Sequence, residues 1–423
     1  MSARPPRADA LVFFGATGDL AYKKIFPSLQ AMLKRGTLNV PVIGVAKSGW
    51  NLEQLRARAR ELEARLLHSH ARSQAEPASL GHALSLEELQ ASVPEGTLIF
   101  EYFEARDVLH LFVLGRRKLE VLRLGNASPL RQTAKLLEFQ LGRFRRDALE
   151  SAPALAAVRH HLREAYEVLI RPAEGHLREA RHLIVAPHRQ LHRLPFAALD
   201  DGRQALIDAV TLSYAPSASV FAACRARPAR FSEGALVVGL PDGLNPHIEA
   251  EAQLVAEALP GADRCLGLDA TAEALRRRGA GKRIIHLATH GDFRRDNPMF
   301  SSLRLADGPL RLLDVGDLNL APELLTLSAC STGASVTTGA DELLGLTRGF
   351  LAAGARSLLV SLWEIDDAST HRFMRGFYGA LRNGTPLAEA VRQAMMPVRE
   401  WRPHPYHWAP FVLAGDPFTR ENS

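Results

Sequence analysis

The chain has 423 residues, too long for one small core and long enough for two or three domains. Its 47% hydrophobic and 23% charged residues are ordinary globular usage, which excludes a wholly disordered, collagen-like or coiled-coil protein. The net charge of +6 is local: residues 1–70 carry eleven Lys/Arg against five Asp/Glu, and residues 71–423 carry 41 of each. No basic stripe with interleaved aromatics runs through the larger part, so a nucleic-acid partner is not expected.

Three regions follow one another. Residues 1–67 form the first, in which 8–66 read as strand, turn, helix, strand, helix. Ala10–Phe14 is a short apolar strand and Gly15-Ala16-Thr17-Gly18-Asp19-Leu20 a glycine turn. Ile25–Arg35 is a helix stopped by Gly36, Pro41–Ala46 a second strand, and Asn51–Leu67 a polar helix. Residues 68–83 lack periodicity and read as a linker. In the second region, 84–230, Ser85 with Glu88 is a capping box that predicts a helix start. Strands are predicted at Thr97–Tyr102, Leu109–Leu114 and Leu119–Leu124, then a long helical stretch over about Leu130–Leu177 and a strand at His182–Pro187.

The third region, 231–418, alternates strands and helices with short connections, the pattern of a parallel α/β sheet. Strands are predicted at Gly234–Leu240, Arg283–Ala288, Leu324–Ala329, Ser357–Trp363 and Ala409–Ala414. Helices are predicted at His247–Leu259, Ala272–Arg278, Glu342–Ala353 and Ala368–Leu381. No apolar run approaches the ~20 residues of a membrane span, and the run Leu11–Phe14 is too short for a signal-peptide core. Three cysteines (Cys224, Cys265 and Cys330) without metal-ligand spacing suit a reducing compartment. A cytoplasmic protein with no membrane partner is expected.

Two strands of the third region end in reactive residues. The apolar run at 284–289 leads into His290-Gly291, and the run at 324–329 into Cys330-Ser331-Thr332-Gly333. In a parallel sheet, chemistry gathers at the carboxyl ends of strands. Neighbouring strands lie about 4.8 Å apart, so a cysteine and a histidine ending adjacent strands come within proton-transfer reach. Imidazole titrates in the range needed to generate the nucleophilic thiolate. The backbone N–H groups of Gly291 and Cys330, each expected beside a flexible turn, would form an oxyanion hole. The competing reading is a buried structural cysteine. His286 and His290 lie ~13 Å apart along an extended strand, which disfavours a metal site.

HLATHG (286–291), LTLSACSTG (325–333), GADELLGLTRGFLAAGARSLLVSLWEIDDAST (339–370) and WAPFVLAGDP (408–417) resemble the CHAT domain family, caspase-like cysteine peptidases related to separase. LSLEELQASVPEGTLIFEYF (84–103) and HLIVAPHRQLHRLPFAALDD (182–201) resemble the family's N-terminal half, so the likeness covers about 84–418. It implies a caspase-like, parallel-rich α/β sheet flanked by helices, with 84–230 as the N-terminal half and 231–418 as the catalytic half. It further implies His290 as general base and Cys330 as the nucleophile of an endopeptidase working through an acyl-enzyme. A protein or peptide substrate, and an activating protein partner, go with that reading; no cofactor is required. Relatives often place an acidic residue in the specificity pocket, for which Asp366 and Asp367 are the candidates; a helix cap is the alternative role. Asp341 and Glu342 read as cap and dipole partners. The upstream helical repeats often found in the family are not recognisable here.

ALVFFGATGDLAYKKIFPSLQAMLKRG (10–36) with VPVIGVAKSGWNLEQLRARARE (40–61) resembles the start of glucose-6-phosphate dehydrogenase. The resemblance implies a partial Rossmann βαβ unit, with Gly15, Thr17, Gly18, Asp19 and Leu20 lining an NADP pyrophosphate and Lys47 and Ser48 facing the ribose 2′-phosphate. It stops near Leu66, without the second nucleotide-binding half or the sugar-binding domain. Dehydrogenase activity is therefore not expected, and a gene-fusion relic is the alternative to nucleotide binding. Of the histidines at 160, 161, 176, 182, 188 and 192, none is expected to bind metal, for want of an acidic partner at ligand spacing. The segment WRPHPYHW (401–408) reads as a proline-broken surface loop.

Overall fold

The computed structural model describes residues 11–14, 42–45, 84–147, 152–232, 234–241, 247–292, 301–331 and 347–418. The chain divides into two compact units, Met1–Ser79 and Leu80–Ser423. In the first, β1 (Leu11–Phe14) and β2 (Val42–Val45) pair in parallel, from Leu11 opposite Val42 to Phe14 opposite Val45. Parallel neighbours need a crossover of a dozen or more residues, and 15–41 is long enough for one. Gly15, Thr17, Gly18, Asp19, Leu20, Lys47 and Ser48 lie outside the described residues.

The second unit opens with α1 (Leu86–Ser92), whose capping box forms as its sequence predicts. Ser85 Oγ accepts from the Glu88 N–H at 3.2 Å, and Glu88 Oε2 accepts from the Ser85 N–H at 2.7 Å. An antiparallel meander follows: β3 (Thr97–Ala105), β4 (Val108–Gly115) and the edge strand β5 (Leu119–Asn126). Among the described residues the predicted single helical stretch holds α2 (Ser128–Asp147), α3 (Ala152–Leu169) and two short helical turns, Arg171–Ala173 and Glu174–Leu177. Pro153 stands in the first turn of α3, where its missing N–H costs nothing. Next come β6 (His182–Ala186), β7 (Thr211–Tyr214) and α4 (Ala218–Ala226).

The remaining elements are β8 (Ala235–Gly239), α5 (His247–Ala258), β9 (Asp263–Leu266), α6 (Ala272–Gly279) and β10 (Ile284–Asp292). A hairpin of β11 (Ser302–Leu305) and β12 (Gly308–Arg311) precedes β13 (Leu324–Ser331). Then follow β14 (Ser357–Ser361), α7 (Asp367–Arg382), α8 (Leu387–Trp401) and β15 (Phe411–Gly415). The hairpin, β7, β9, α4 and α8 are additions to the predicted elements. In α8, Pro397 interrupts a stretch whose buried residues (Leu387, Val391, Ala394, Met395 and Val398) nonetheless recur at helical spacing.

β3 to β15 form one 13-stranded sheet that runs without a break across residue 230. From the hairpin its order is β12-β11-β10-β13-β14-β15-β7-β6-β3-β4-β5, with β8 and then β9 continuing from β10. β8, β10, β13 and β14 are mutually parallel neighbours, as are β15, β7, β6 and β3. The two sets meet where β15 runs antiparallel to β14, Ser357 facing Gly415. β6, β8 and β15 are buried at every residue, as strands covered on both faces must be.

Beside this seam, Arg356 and Asp416, each almost fully buried, form an ion pair, and Arg227 Nη1 donates to the carbonyls of Leu351 and Ala355. Gly415 has φ +105°, and a Cβ there would lie 2.3 Å from the Arg356 carbonyl oxygen. The Gly-Asp of the AGDP motif is thus a steric and electrostatic lock on the last strand.

His182 on β6 is buried and bonded through Nε2 to Ser213 Oγ at 2.8 Å. Burial pushes its imidazole down to about 3 from 6.5. The unfolded chain therefore binds a proton that the folded chain refuses, and stability falls as pH drops from about 6.5 toward 3. Between pH 7 and pH 5 this group alone costs about 2 kcal/mol. Urea unfolding at the two pH values checks this: His182→Gln should lose about 2 kcal/mol less than wild type on acidification. An equal loss in both proteins would show that His182 titrates normally.

Candidate functional site

β10 and β13 lie side by side in parallel, and their register places His290 opposite Cys330 and Gly291 opposite Ser331. Both runs are apolar and β-prone, and each is buried between sheet neighbours, so both extend into the residues that end them. The two predicted site residues therefore occupy matched positions near the carboxyl ends of adjacent strands. His290 is 5% exposed. Of Cys330 the structure describes the backbone position.

The strands run further than their sequences suggest. Gly291 is not in a turn: it pairs with Ser331 on one side and with Leu303 of the hairpin on the other. The expectation of a flexible turn at Gly291 is thus corrected, because the β11–β12 hairpin extends the sheet across the upper end of β10; the turn expected after Cys330 lies outside the described residues. Any oxyanion donor at Gly291 must be an N–H that this ladder leaves unused.

Asp366 is placed by the chain that follows β14. It is the N-cap of α7, accepting from the Ser369 N–H at 3.0 Å. Its carboxylate also meets His407 Nδ1 at 2.7 Å and Arg402 Nη1 at 3.0 Å. Burial alone would raise this carboxyl; the hydrogen bonds from His407 and Ser369 outweigh it and hold Asp366 well below the usual carboxylate range. Its charge is thus engaged inside the protein, in the cap role weighed against a pocket role. Asp367 is the first residue of α7, where an acidic side chain suits the helix dipole. Asp341 and Glu342 lie outside the described residues.

Sequence reasoning missed what Asp366 pairs with. The segment 401–408 is not a surface loop: Tyr406, His407 and Trp408 are buried in a short helix, Pro405–Trp408. The Trp363 indole N–H donates to the Tyr406 carbonyl at 3.0 Å, and the Tyr406 hydroxyl to the Glu364 carbonyl at 2.8 Å. Two prolines argue for a loop, but five aromatic or imidazole side chains in eight residues are the signal that this segment packs.

The other two cysteines are buried, and burial pushes the Cys224 thiol up to about 11. On α3, Glu164 stands one turn beyond His160 and His161, an acidic neighbour that the sequence reading overlooked; the three ligand atoms lie within 4.8 Å of one another, with His160 and Glu164 exposed and His161 half-buried. Among the described residues no helix is long and apolar enough to cross a membrane.

The largely parallel, helix-flanked sheet is a caspase-like fold. The chain belongs to the CHAT domain family, whose model matches residues 159–416. The model of the glucose-6-phosphate dehydrogenase NAD-binding domain matches residues 12–94, further than the likeness read from the sequence. Tetratricopeptide repeat protein 28 of Homo sapiens is 30% identical over 322 residues, and that of Mus musculus 31%. Each match covers 60% of this chain and 13% of the relative, so the chain spans about an eighth of the length of these curated relatives. Among solved structures, the Saccharomyces cerevisiae separase–securin complex is similar, with TM-score 0.58 at 10% identity, covering 79% of this chain and 30% of the other. At that identity the likeness concerns the fold.

Loss of the Asp366 cap has a measurable cost. Asp366→Ala should destabilise the protein by about 1 kcal/mol through the cap alone, read as a lower urea midpoint. An unchanged midpoint would mean that the cap and its ion pairs contribute nothing.

Proposed function

We propose that the protein is a cysteine endopeptidase acting on protein or peptide substrates. The observation that carries this reading is the parallel register that sets His290 opposite Cys330. His290 takes the thiol proton, the Cys330 sulfur attacks the scissile carbonyl, and His290 returns a proton to the leaving amine as the acyl-enzyme forms. Water then hydrolyses the thioester and restores the thiol. A thiolate nucleophile works best where it stays reduced, which suits a cytoplasmic setting.

The test is turnover of a fluorogenic peptide panel varied at the residue before the scissile bond. Wild type should cleave, and Cys330→Ala and His290→Ala should each lose at least a hundredfold in kcat/KM. Activity retained in either variant would overturn the dyad. A preference for Arg or Lys that disappears in Asp367→Asn would assign the acidic pocket to Asp367.

A second reading concerns the N-terminal unit alone, and the NAD-binding family match over 12–94 with the parallel β1–β2 pair favours it. We infer that this unit binds a nicotinamide nucleotide, with Gly15, Thr17, Gly18, Asp19 and Leu20 at the phosphates and Lys47 and Ser48 at the 2′-phosphate. NADPH at 1 mM, about a hundred times a micromolar-range Kd, should raise the melting temperature by several degrees. No shift, or an equal shift with NADH, would count against the NADP assignment.

A further inference from the structure

Beneath the His290–Cys330 register pair lies a buried polar network that the proposed chemistry does not use. The strands build it in layers two residues apart, about 6.6 Å along the sheet. In the lowest layer His286 faces Thr326, in the middle layer Ala288 faces Ser328, and in the top layer His290 faces Cys330. By strand alternation His286, Ala288 and His290 share one face of β10. Tyr378 reaches this face from α7, and Glu251 from α5.

In the lowest layer, His286 Nδ1 bonds the Tyr378 hydroxyl at 2.9 Å, and that hydroxyl meets Thr326 Oγ1 at 2.8 Å. Burial pushes the Tyr378 phenol well up, so it remains a hydroxyl. In the middle layer Ala288 is too small to fill its place, and the Glu251 carboxylate occupies the level of Ser328, accepting from its hydroxyl through Oε2 at 2.9 Å. The other carboxylate oxygen, Oε1, lies 3.4 Å from His286 Nε2. Both of these atoms are buried, and among the described residues neither has a hydrogen-bond partner. Two bare acceptors facing each other would repel, so a proton belongs between them. Gly239 lets α5 come this close, since a Cβ there would lie 3.0 Å from the Ala252 Cβ.

Burying a carboxylate is costly, and a glutamine would make the same bonds without a charge. Its amide oxygen would accept from Ser328, and its N–H₂ would donate to His286 Nε2. The geometry points to a use for the charge: we propose that Glu251, paired with His286, is a positioning residue for the reactive couple. Its carboxylate, one layer below, favours the imidazolium form of His290 and hence the thiolate of Cys330. This inference rests on the peptidase reading.

The experiment is iodoacetamide alkylation of the full-length protein at pH 7, with the rate at Cys330 resolved by peptide mapping. Wild-type Cys330 should react faster than the cysteines of the urea-unfolded chain, and Glu251→Gln should slow it about tenfold while the melting temperature holds within about 3 °C. Ser328→Ala, which frees the carboxylate from its tether, should slow it less, by about threefold. In peptide cleavage the Glu251→Gln loss should fall on kcat, with KM within about twofold. A wild-type rate at Cys330 in folded Glu251→Gln would overturn the proposal. Should that variant fail to fold, a wild-type rate in Ser328→Ala would overturn it. Wild-type Cys330 reacting no faster than an unfolded cysteine would instead sink the peptidase reading, and this inference with it.

Discussion

The sheet of the larger unit depends on the docking of its last strand. β15 is contributed by residues near the end of the described chain, yet it lies between β14 and β7, which belong to different parts of the sequence. Without it the strands up to β7 and those from β8 onward would be two sheets, each with an open edge of unpaired backbone. The strand is held by apolar burial and by an ion pair. Every residue of it is buried, and the turn after it places Asp416 against the buried Arg356. A buried ion pair is weak evidence for stability, but a lone buried charge is strongly unfavourable, so this one makes the seam selective for correct docking.

The candidate site depends in turn on β10 and β13, which the same construction buries. A residue slip in a strand covered on both faces would move every side chain to the wrong face. The matched positions of His290 and Cys330 are therefore set by the whole length of two apolar strands rather than by the residues at their ends. The layers below repeat the logic in polar form. His286, Thr326, Ser328, Tyr378 and Glu251 tie β10 and β13 to the two helices that cover them. Such a network is tolerated inside a protein only when its members find partners, which makes it sensitive to small changes in strand spacing.

Much of this was legible in the residues. The apolar runs that end in His290 and Cys330 announced buried parallel strands, and Ser85 with Glu88 announced a helix start, because both signals are local. The hairpin β11–β12 was harder to read: Ser302–Leu305 does alternate polar and apolar residues, but the strands are only four residues long and acquire their pairing from the end of β10. Segment 401–408 misled for a related reason: prolines at 403 and 405 are loop signals, and only the Trp363 indole and the Asp366 carboxylate show why its aromatic side chains turn inward.

What the sequence by itself determined was the class of fold and the two strands that carry His290 and Cys330 near their carboxyl ends. Periodicity and residue chemistry are local properties, and long motifs such as LTLSACSTG carry them together. Only the tertiary structure decided that β15 closes one sheet, that Asp366 caps a helix against His407 and Arg402, and that Glu251 lies a layer beneath the site. Those facts join residues far apart in the chain, and nothing in either partner's neighbourhood specifies which distant group will meet it. Burial decides it, because a charge or hydroxyl withdrawn from water must find its complement among whatever the packing brings near.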